Sequence, residues 1–301
     1  MTRRTTVAML VMILVSAIES AAQDFFYLPE SSGQFRTATV FYDNFFQDPI
    51  AGTMREVWAG LVELRLEETV GGSDRLKAYM RLEYIQFRRL GSSPGAVAGL
   101  KRRGQRHSFD AGAAFQWNRP RSSVGDELEQ ADLASGTATY SYRIAGGLEI
   151  GAHGEHRIEF LRDSGLPDSR FREFGATVAY SAFRGRLSSE VDLMRGMRLA
   201  ENPSGEYVEE TRQVSVRASP GQWVTLSVRY RQRDREYPGA APRSSNFLRQ
   251  DRRRSISGAV DVSLGEHLRW NVSGGVDKGD STRPGRTFAA TLLGTGFTLA
   301  Y

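Results

Sequence analysis

From Gln34 onward the chain is written with a period of two. Arg75 to Arg89 sets Leu76, Ala78, Met80, Leu82 and Tyr84 against Lys77, Tyr79, Arg81 and Glu83. Arg55 to Glu67 sets Trp58, Gly60, Val62, Leu64 and Leu66 against Glu63, Arg65 and Glu67. Successive side chains of a strand point to opposite faces, so this period makes strands with one apolar and one charged face. A soluble sandwich would need its apolar faces to meet in a core. Here Glu, Asp and Arg recur on the polar face of nearly every strand, and aromatic residues gather near strand ends (Trp58, Tyr84, Trp117, Tyr142, Trp223, Tyr230, Trp270). That pattern suits hydrocarbon outside, water inside and aromatic girdles at the two interfaces. A sheet in lipid cannot leave an edge unpaired, so it must close on itself.

The pattern divides into about fourteen segments: 34–43, 55–67, 75–89, 95–102, 108–118, 135–144, 147–161, 173–182, 187–198, 208–219, 223–233, 255–263, 268–278 and 286–301. Connections alternate in length. They are short around 68–74, 103–107, 145–146, 183–186, 220–222 and 264–267. They are longer or more polar around 44–54, 90–94, 119–134, 162–172, 199–207, 234–254 and 279–285. Short turns on one side and long loops on the other, with both chain ends on the short-turn side, require an even strand number. The parity holds at fourteen only if the weakly patterned 95–102 is a strand; twelve is the alternative. The expected fold is therefore all-β, a transmembrane antiparallel up-and-down β-barrel. Its closing strand is Arg286 to Tyr301, RTFAATLLGTGFTLAY, with Tyr301, Leu299, Phe297, Thr295 and Leu293 on one face and Ala300, Thr298, Gly296 and Gly294 on the other.

Residues Met1 to Gln23 have the form of a cleavable signal peptide. Arg3 and Arg4 open it, an apolar run extends from Val7 to Ile18, and Ser20-Ala21-Ala22 supplies small residues for cleavage near Ala22. The run is too short for a comfortable spanning helix, and no later segment approaches one. The expected organisation is 1–22 signal peptide, 23–33 periplasmic N-terminal segment and 34–301 barrel. The chain has no cysteine, which excludes a lipobox anchor, disulfides, thiolate metal sites and a cysteine nucleophile. A mean hydropathy of −0.41 with a quarter of the residues charged fits a polar lumen and polar loops. The net charge of +5 and isoelectric point near 9.6 come from arginine, since Lys77, Lys101 and Lys278 are the only lysines. The arginines alternate with apolar residues within strands or fall in loops, without a recognition motif or a basic helix. No nucleic-acid partner is expected, and the arginines are assigned to the lumen or to lipid headgroups.

Catalytic patterns are thin. Of the four histidines, His107 and His267 sit beside short turns, His156 falls on the lipid-facing phase and only His153 points inward. No His-x-Ser pattern with a suitable asparagine follows them, as a barrel phospholipase would need. Asp163, Asp168, Asp234 and Glu236 lie near the outer rim without a histidine neighbour in sequence. Asp126, Glu127, Glu129 and Asp132 could gather calcium but lack calcium-loop spacing. Gly-rich phosphate motifs and cofactor fingerprints are absent. The sequence reading is therefore no enzyme, no cofactor and no metal.

What remains is the lumen wall. By phase, Glu63, Arg65, Lys77, Arg81, Glu83, Arg143, Glu149, Arg157, Glu159, Glu190, Asp192, Arg217, Arg229, Arg231 and Arg269 point inward, with Asp261 and Asp277. Such charges need water or opposite partners. Two outcomes compete: a water-filled pore, or a lumen sealed by arginine–carboxylate ladders. Fourteen strands favour the pore, because eight already suffice to be filled by side chains. The most basic stretch, RDREYPGAAPRSSNFLRQDRRR from Arg233 to Arg254, reads as an external loop for anionic solutes or for neighbouring lipopolysaccharide phosphates.

Over residues 34–301 the dyad strands and the terminal aromatic, preceded by the export signal, resemble those of bacterial outer-membrane β-barrels. The resemblance implies the cell outer membrane as location, lipid and lipopolysaccharide as surroundings, and the outer-membrane insertion machinery as an assembly partner reading Phe297, Leu299 and Tyr301. Tyr42-Asp43-Asn44-Phe45-Phe46 also resembles the start of barrels linked to exopolysaccharide systems. The function expected is a porin-like channel for small solutes or a polysaccharide. The alternative is a structural or accessory barrel with a plugged lumen.

Overall fold

The computed structural model describes residues 32–43, 57–69, 75–87, 91–122, 128–161, 169–200 and 205–300, the last without 241, 243, 245 and 284–286. The proposed signal peptide, and the periplasmic segment as far as residue 31, lie outside them. Fourteen strands follow one another: β1 (Ser32–Tyr42), β2 (Val57–Thr69), β3 (Leu76–Phe87), β4 (Gly91–Arg103), β5 (His107–Ser122), β6 (Leu128–Ala145) and β7 (Leu148–Leu161). The second half comprises β8 (Ser169–Ala182), β9 (Leu187–Ala200), β10 (Tyr207–Ala218), β11 (Val224–Glu236), β12 (Gln250–Ser263), β13 (Leu268–Ser281) and β14 (Phe288–Ala300). Each pairs with its chain neighbours, and β1 pairs with β14, giving a closed barrel. The weakly patterned stretch around 95–102 is inside β4, which makes the strand number fourteen and even.

The register shows how alternation becomes two surfaces. Directly paired residues share a face, and the polar sets meet strand after strand: Arg65 opposite Arg81, Lys77 opposite Lys101, Glu155 opposite Glu173, Glu209 opposite Arg235 and Ser255 opposite Asp277. The outer surface carries the apolar sets, with Leu82 43%, Val228 52% and Leu299 44% exposed. The inner surface hides polar groups instead: Thr211, Glu209 and Asp192 are 1%, 3% and 6% exposed. Apolar outside and polar inside is the order hydrocarbon imposes.

The closing seam runs from Gln34 opposite Ala300 to Tyr42 opposite Leu292. Beyond it Asp43 N–H donates to Thr291 O at 3.2 Å, and Thr291 N–H donates back to Asp43 Oδ1 at 2.5 Å. Phe297 and Leu299 face outward; Tyr301 lies outside the described residues. At the β6–β7 turn, Gly146 and Gly147 have φ of 59° and 87°, the geometry of a two-residue hairpin turn open mainly to glycine. A Cβ on Gly147 would also strike the Ser181 carbonyl oxygen.

The strands overrun the expected boundaries on the long-loop side. The segment expected as a loop at 119–134 is mostly strand, with β5 reaching Ser122 and β6 starting at Leu128. The connection expected at 90–94 shrinks to the three residues before Gly91, and the basic stretch 233–254 is split between β11, a connection at 237–249, and β12. A strand of 13 residues such as β2, tilted by about 40°, rises about 33 Å, whereas the apolar band is about 25 Å tall. The hydrogen-bonded ladder therefore continues where hydrophobic alternation has already stopped.

Candidate functional site in the lumen

Fourteen strands spaced about 4.8 Å apart and tilted by about 40° give a circular section with a backbone radius of about 14 Å. An arginine side chain reaches about half of that radius, so side chains from one wall do not meet those of the other. The half of the lumen nearer the long connections holds a cavity of about 1410 Å³. Its described lining includes nine arginines (119, 157, 198, 231, 233, 235, 249, 253 and 283) against six carboxylates (Glu83, Glu155, Glu159, Glu173, Glu209 and Asp277).

The dominant feature is a row of arginines on β11. Arg229, Arg231, Arg233 and Arg235 recur every second residue, and Arg253 of β12 lies opposite Arg233. Glu209 of β10 sits between two of them: Arg233 Nε is 3.3 Å from Glu209 Oε1, and Arg235 Nε makes a short contact with Glu209 Oε2. The Arg233 N–H does not aim at that oxygen, so its contact is ionic and not a hydrogen bond. Arg231 Nε is buried without a hydrogen-bond partner among the described residues. Arg253 donates from Nε to Asp277 Oδ1 at 2.9 Å.

Aromatic rings hold the guanidinium heads in place. Arg235 lies 4.4 Å over the Tyr207 ring, Arg249 lies 4.7 Å over Tyr237, and Arg157 lies 4.6 Å over Phe171. Such stacking leaves the planar edge free to donate. The 237–249 connection turns toward this row: Tyr237 O–H donates to Asp251 Oδ2 at 3.1 Å, Arg249 forks onto Asp251 at 2.9 and 2.6 Å, and Ala240 is buried. Burial, with the Asp251 carboxylate beside it, pushes the Tyr237 phenol above its ordinary range.

The remaining expected lumen residues occupy the same face by register. Arg65 Nη2 is 2.9 Å from Glu67 Oε1, and Lys101 makes a short contact with the other Glu67 oxygen. Arg81 Nε is 2.8 Å from Glu83 Oε1, again without aiming its N–H. Glu159 accepts from Ser169 at 3.1 Å and is 3.6 Å from Arg198. Asp192 accepts from Thr177 at 2.7 Å and from Gln213 at 3.0 Å, with Glu190 one step further on β9. Arg143 is 3.9 Å from Glu149. Glu63 lies opposite Glu83 and Lys77 opposite Lys101. Arg217, Arg229 and Arg269 are exposed at the short-turn half. Each of these ion pairs joins residues of one strand or of strands at most two apart; the pairs run along the wall and not across it.

Among the described residues the histidines and rim carboxylates do not assemble. His153 Nε2 is 4.0 Å from Glu173 inside the lumen, while His107 faces outward against Tyr140 O–H at 2.7 Å. Asp234 pairs with Arg252 at 2.6 Å on the outer face. Asp132 is buried and accepts from the Asn118 N–H at 3.0 Å. Asp126, Glu127, Asp163 and Asp168 lie outside the described residues.

A closed fourteen-strand antiparallel barrel with an apolar exterior and a charged interior is the architecture of bacterial outer-membrane β-barrels. Solved structures of that class share the fold. In-vitro folded OmpT of Vibrio cholerae in its trimer form matches with a TM-score of 0.54 at 12% identity, over 90% of this chain and 98% of that one. The toluene transporter TodX of P. putida matches with a TM-score of 0.52 at 9% identity, over 92% and 91%. No family model and no curated protein matches the chain.

Proposed function

We propose that the protein is an outer-membrane channel for small solutes, with a preference for anions set by the β11–β12 arginine row. The observation that carries this reading is the direction of the ion pairs. Among the described residues, attractions confined to strands at most two apart line a lumen whose opposite walls stand about 28 Å apart at the backbone, and leave its middle to water. The excess of nine arginines over six carboxylates in the cavity lining raises the local concentration of anions at the mouth. This reading assigns the protein no catalytic role.

Folded protein in planar bilayers should give discrete conductance steps, and a salt gradient should give a reversal potential displaced toward that of chloride. Silence from correctly folded protein would refute the channel. Reversal toward potassium would refute the role of the arginines. A second reading, an accessory barrel with a closed lumen, draws on the inward turn of the 237–249 connection onto Asp251. It requires silence in the same recordings. Passage of a polysaccharide in place of small solutes would appear as block of the current by acidic oligosaccharides.

A further inference from the structure

The outer surface is not uniform around its circumference. On β8, β9, β10, β12 and β13 a cation stands one outward position past an exposed apolar residue, on the side of the long connections: Arg172 past Phe174, Arg195 past Leu193, Arg212 past Val214, Arg254 past Ile256 and Lys278 past Val276. All five cations are exposed. Arg212, Gln232 of β11, Arg254 and Lys278 follow one another in direct register, so three cations and an amide occupy a row about 14 Å long. On β2, β3 and β7 the exposed outward residues toward the same side are rings instead, Trp58, Tyr84 and Phe160.

The chain itself neutralises only part of this arc. Arg212 Nη2 is 3.7 Å from Glu210 Oε2, and Arg252 Nε is 2.6 Å from Asp234 Oδ1. Arg254 and Lys278 face each other directly across the β12–β13 ladder, and neither has an ion pair among the described residues. Like charges directly opposite on a sheet repel. An anion between them removes that penalty, and the guanidinium fork beside an ammonium suits a phosphate. The long connections of this architecture face the cell exterior, so the arc lies where the apolar surface meets the headgroups of the outer leaflet. Cations at such a boundary attract anionic lipid, and the apolar residues one position below offer contact to its chains.

We propose that the β8–β13 arc is a docking surface for phosphorylated glycolipid, the lipopolysaccharide of the outer leaflet. One phosphate lies between Arg254 and Lys278, others follow Arg212, Arg195 and Arg172, and acyl chains lie on Ile256, Val276 and their neighbours. The lipid shell of the barrel is therefore one-sided, tightly held on this arc and loosely on the ring-bearing arc. The inference concerns the outside of the wall and is independent of the channel reading.

The test is a native mass spectrometry titration of the whole barrel, folded in a zwitterionic detergent, with diphosphoryl lipid A, its dephosphorylated form and inorganic phosphate as probes. Diphosphoryl lipid A should bind at least tenfold tighter than the dephosphorylated lipid. Arg254→Gln combined with Lys278→Gln should weaken it on the order of thirtyfold, at about fivefold per cation. Arg172→Gln combined with Arg195→Gln probes the other end of the arc and should weaken it to a lesser degree, which keeps the test alive if the first pair fails to fold. Arg184→Gln combined with Arg186→Gln removes two exposed cations at the β8–β9 turn, at the opposite end of the barrel, and should change nothing. Equal binding of the two lipids overturns the proposal. So does an equal loss in the turn variant, which would reduce the effect to net charge, or displacement of lipid A by millimolar inorganic phosphate, which would make the arc an ion site.

Discussion

Replacing Glu209 by Gln removes one negative charge from the middle of the arginine row and changes almost nothing in shape. Glu209 is 3% exposed and lies between Arg233 and Arg235. An ion passing about 7 Å from that carboxylate feels about 0.6 kcal/mol through water. At 0.1 M salt, where the screening length is about 10 Å, roughly half of this survives. Losing it multiplies the local anion concentration by about 1.7 and divides that of cations by the same factor, so the anion-to-cation permeability ratio rises about threefold. At 1 M salt the screening length of about 3 Å reduces the effect to near zero. The substitution also strands two guanidinium groups, and destabilisation should be about 3 kcal/mol, at the low end for a broken pair because both arginines remain partly wet. The assay is the reversal potential of single channels in a fixed salt gradient, repeated at low and high mean salt. Denaturant titration of the same variant in vesicles checks the stability. An unchanged permeability ratio at 0.1 M in a folded variant would place Glu209 away from the ion path and refute the assignment.

Leu82→Arg puts a charge on the lipid-facing surface and should destabilise the barrel by about 2–4 kcal/mol, measured by denaturant titration in vesicles; Thr137→Arg, on the inner face, should cost far less. Gly147→Val places a branched side chain at φ 87° against the Ser181 carbonyl and should destabilise by about 1–3 kcal/mol or more, seen as loss of the folded band in unheated gel electrophoresis. Tyr301→Ser should lower the amount of barrel assembled in cells while leaving refolding into vesicles nearly unchanged, which pulse-labelling and in vitro refolding would separate.

The strands and the identity of the two faces were legible because side-chain parity is a local property. Leu82 and Arg81 differ by one position, and the solvent on either side of the sheet sorts them. The arginine row was half legible. Arg229, Arg231 and, as its last residue, Arg233 fall inside the expected strand 223–233, but Arg235 falls in the expected connection because Asp234 and Glu236 are no longer apolar. The signal was present in the unbroken every-second-residue arginines, which continue to Arg235 as the ladder climbs past the hydrocarbon. Arg253, opposite Arg233, was lost for the same reason. By the same parity Leu61 and Ile85 fall on the phase of Glu63 and Glu83. Only the register shows that the two lie directly opposite each other on β2 and β3.

The seam between β1 and β14 has a kinetic consequence. The Thr291 N–H to Asp43 contact bridges 248 positions of chain, and every other strand pair joins neighbours in sequence. Thirteen hairpin-like junctions can zip sequentially at small entropic expense, whereas the last joint must bring together two distant ends of an almost finished cylinder. Until it forms, both rims of the sheet stay adhesive. Substitutions at the seam, such as bulky residues at Gly296 beneath Thr37, should therefore slow maturation more than any equal disturbance elsewhere on the circumference.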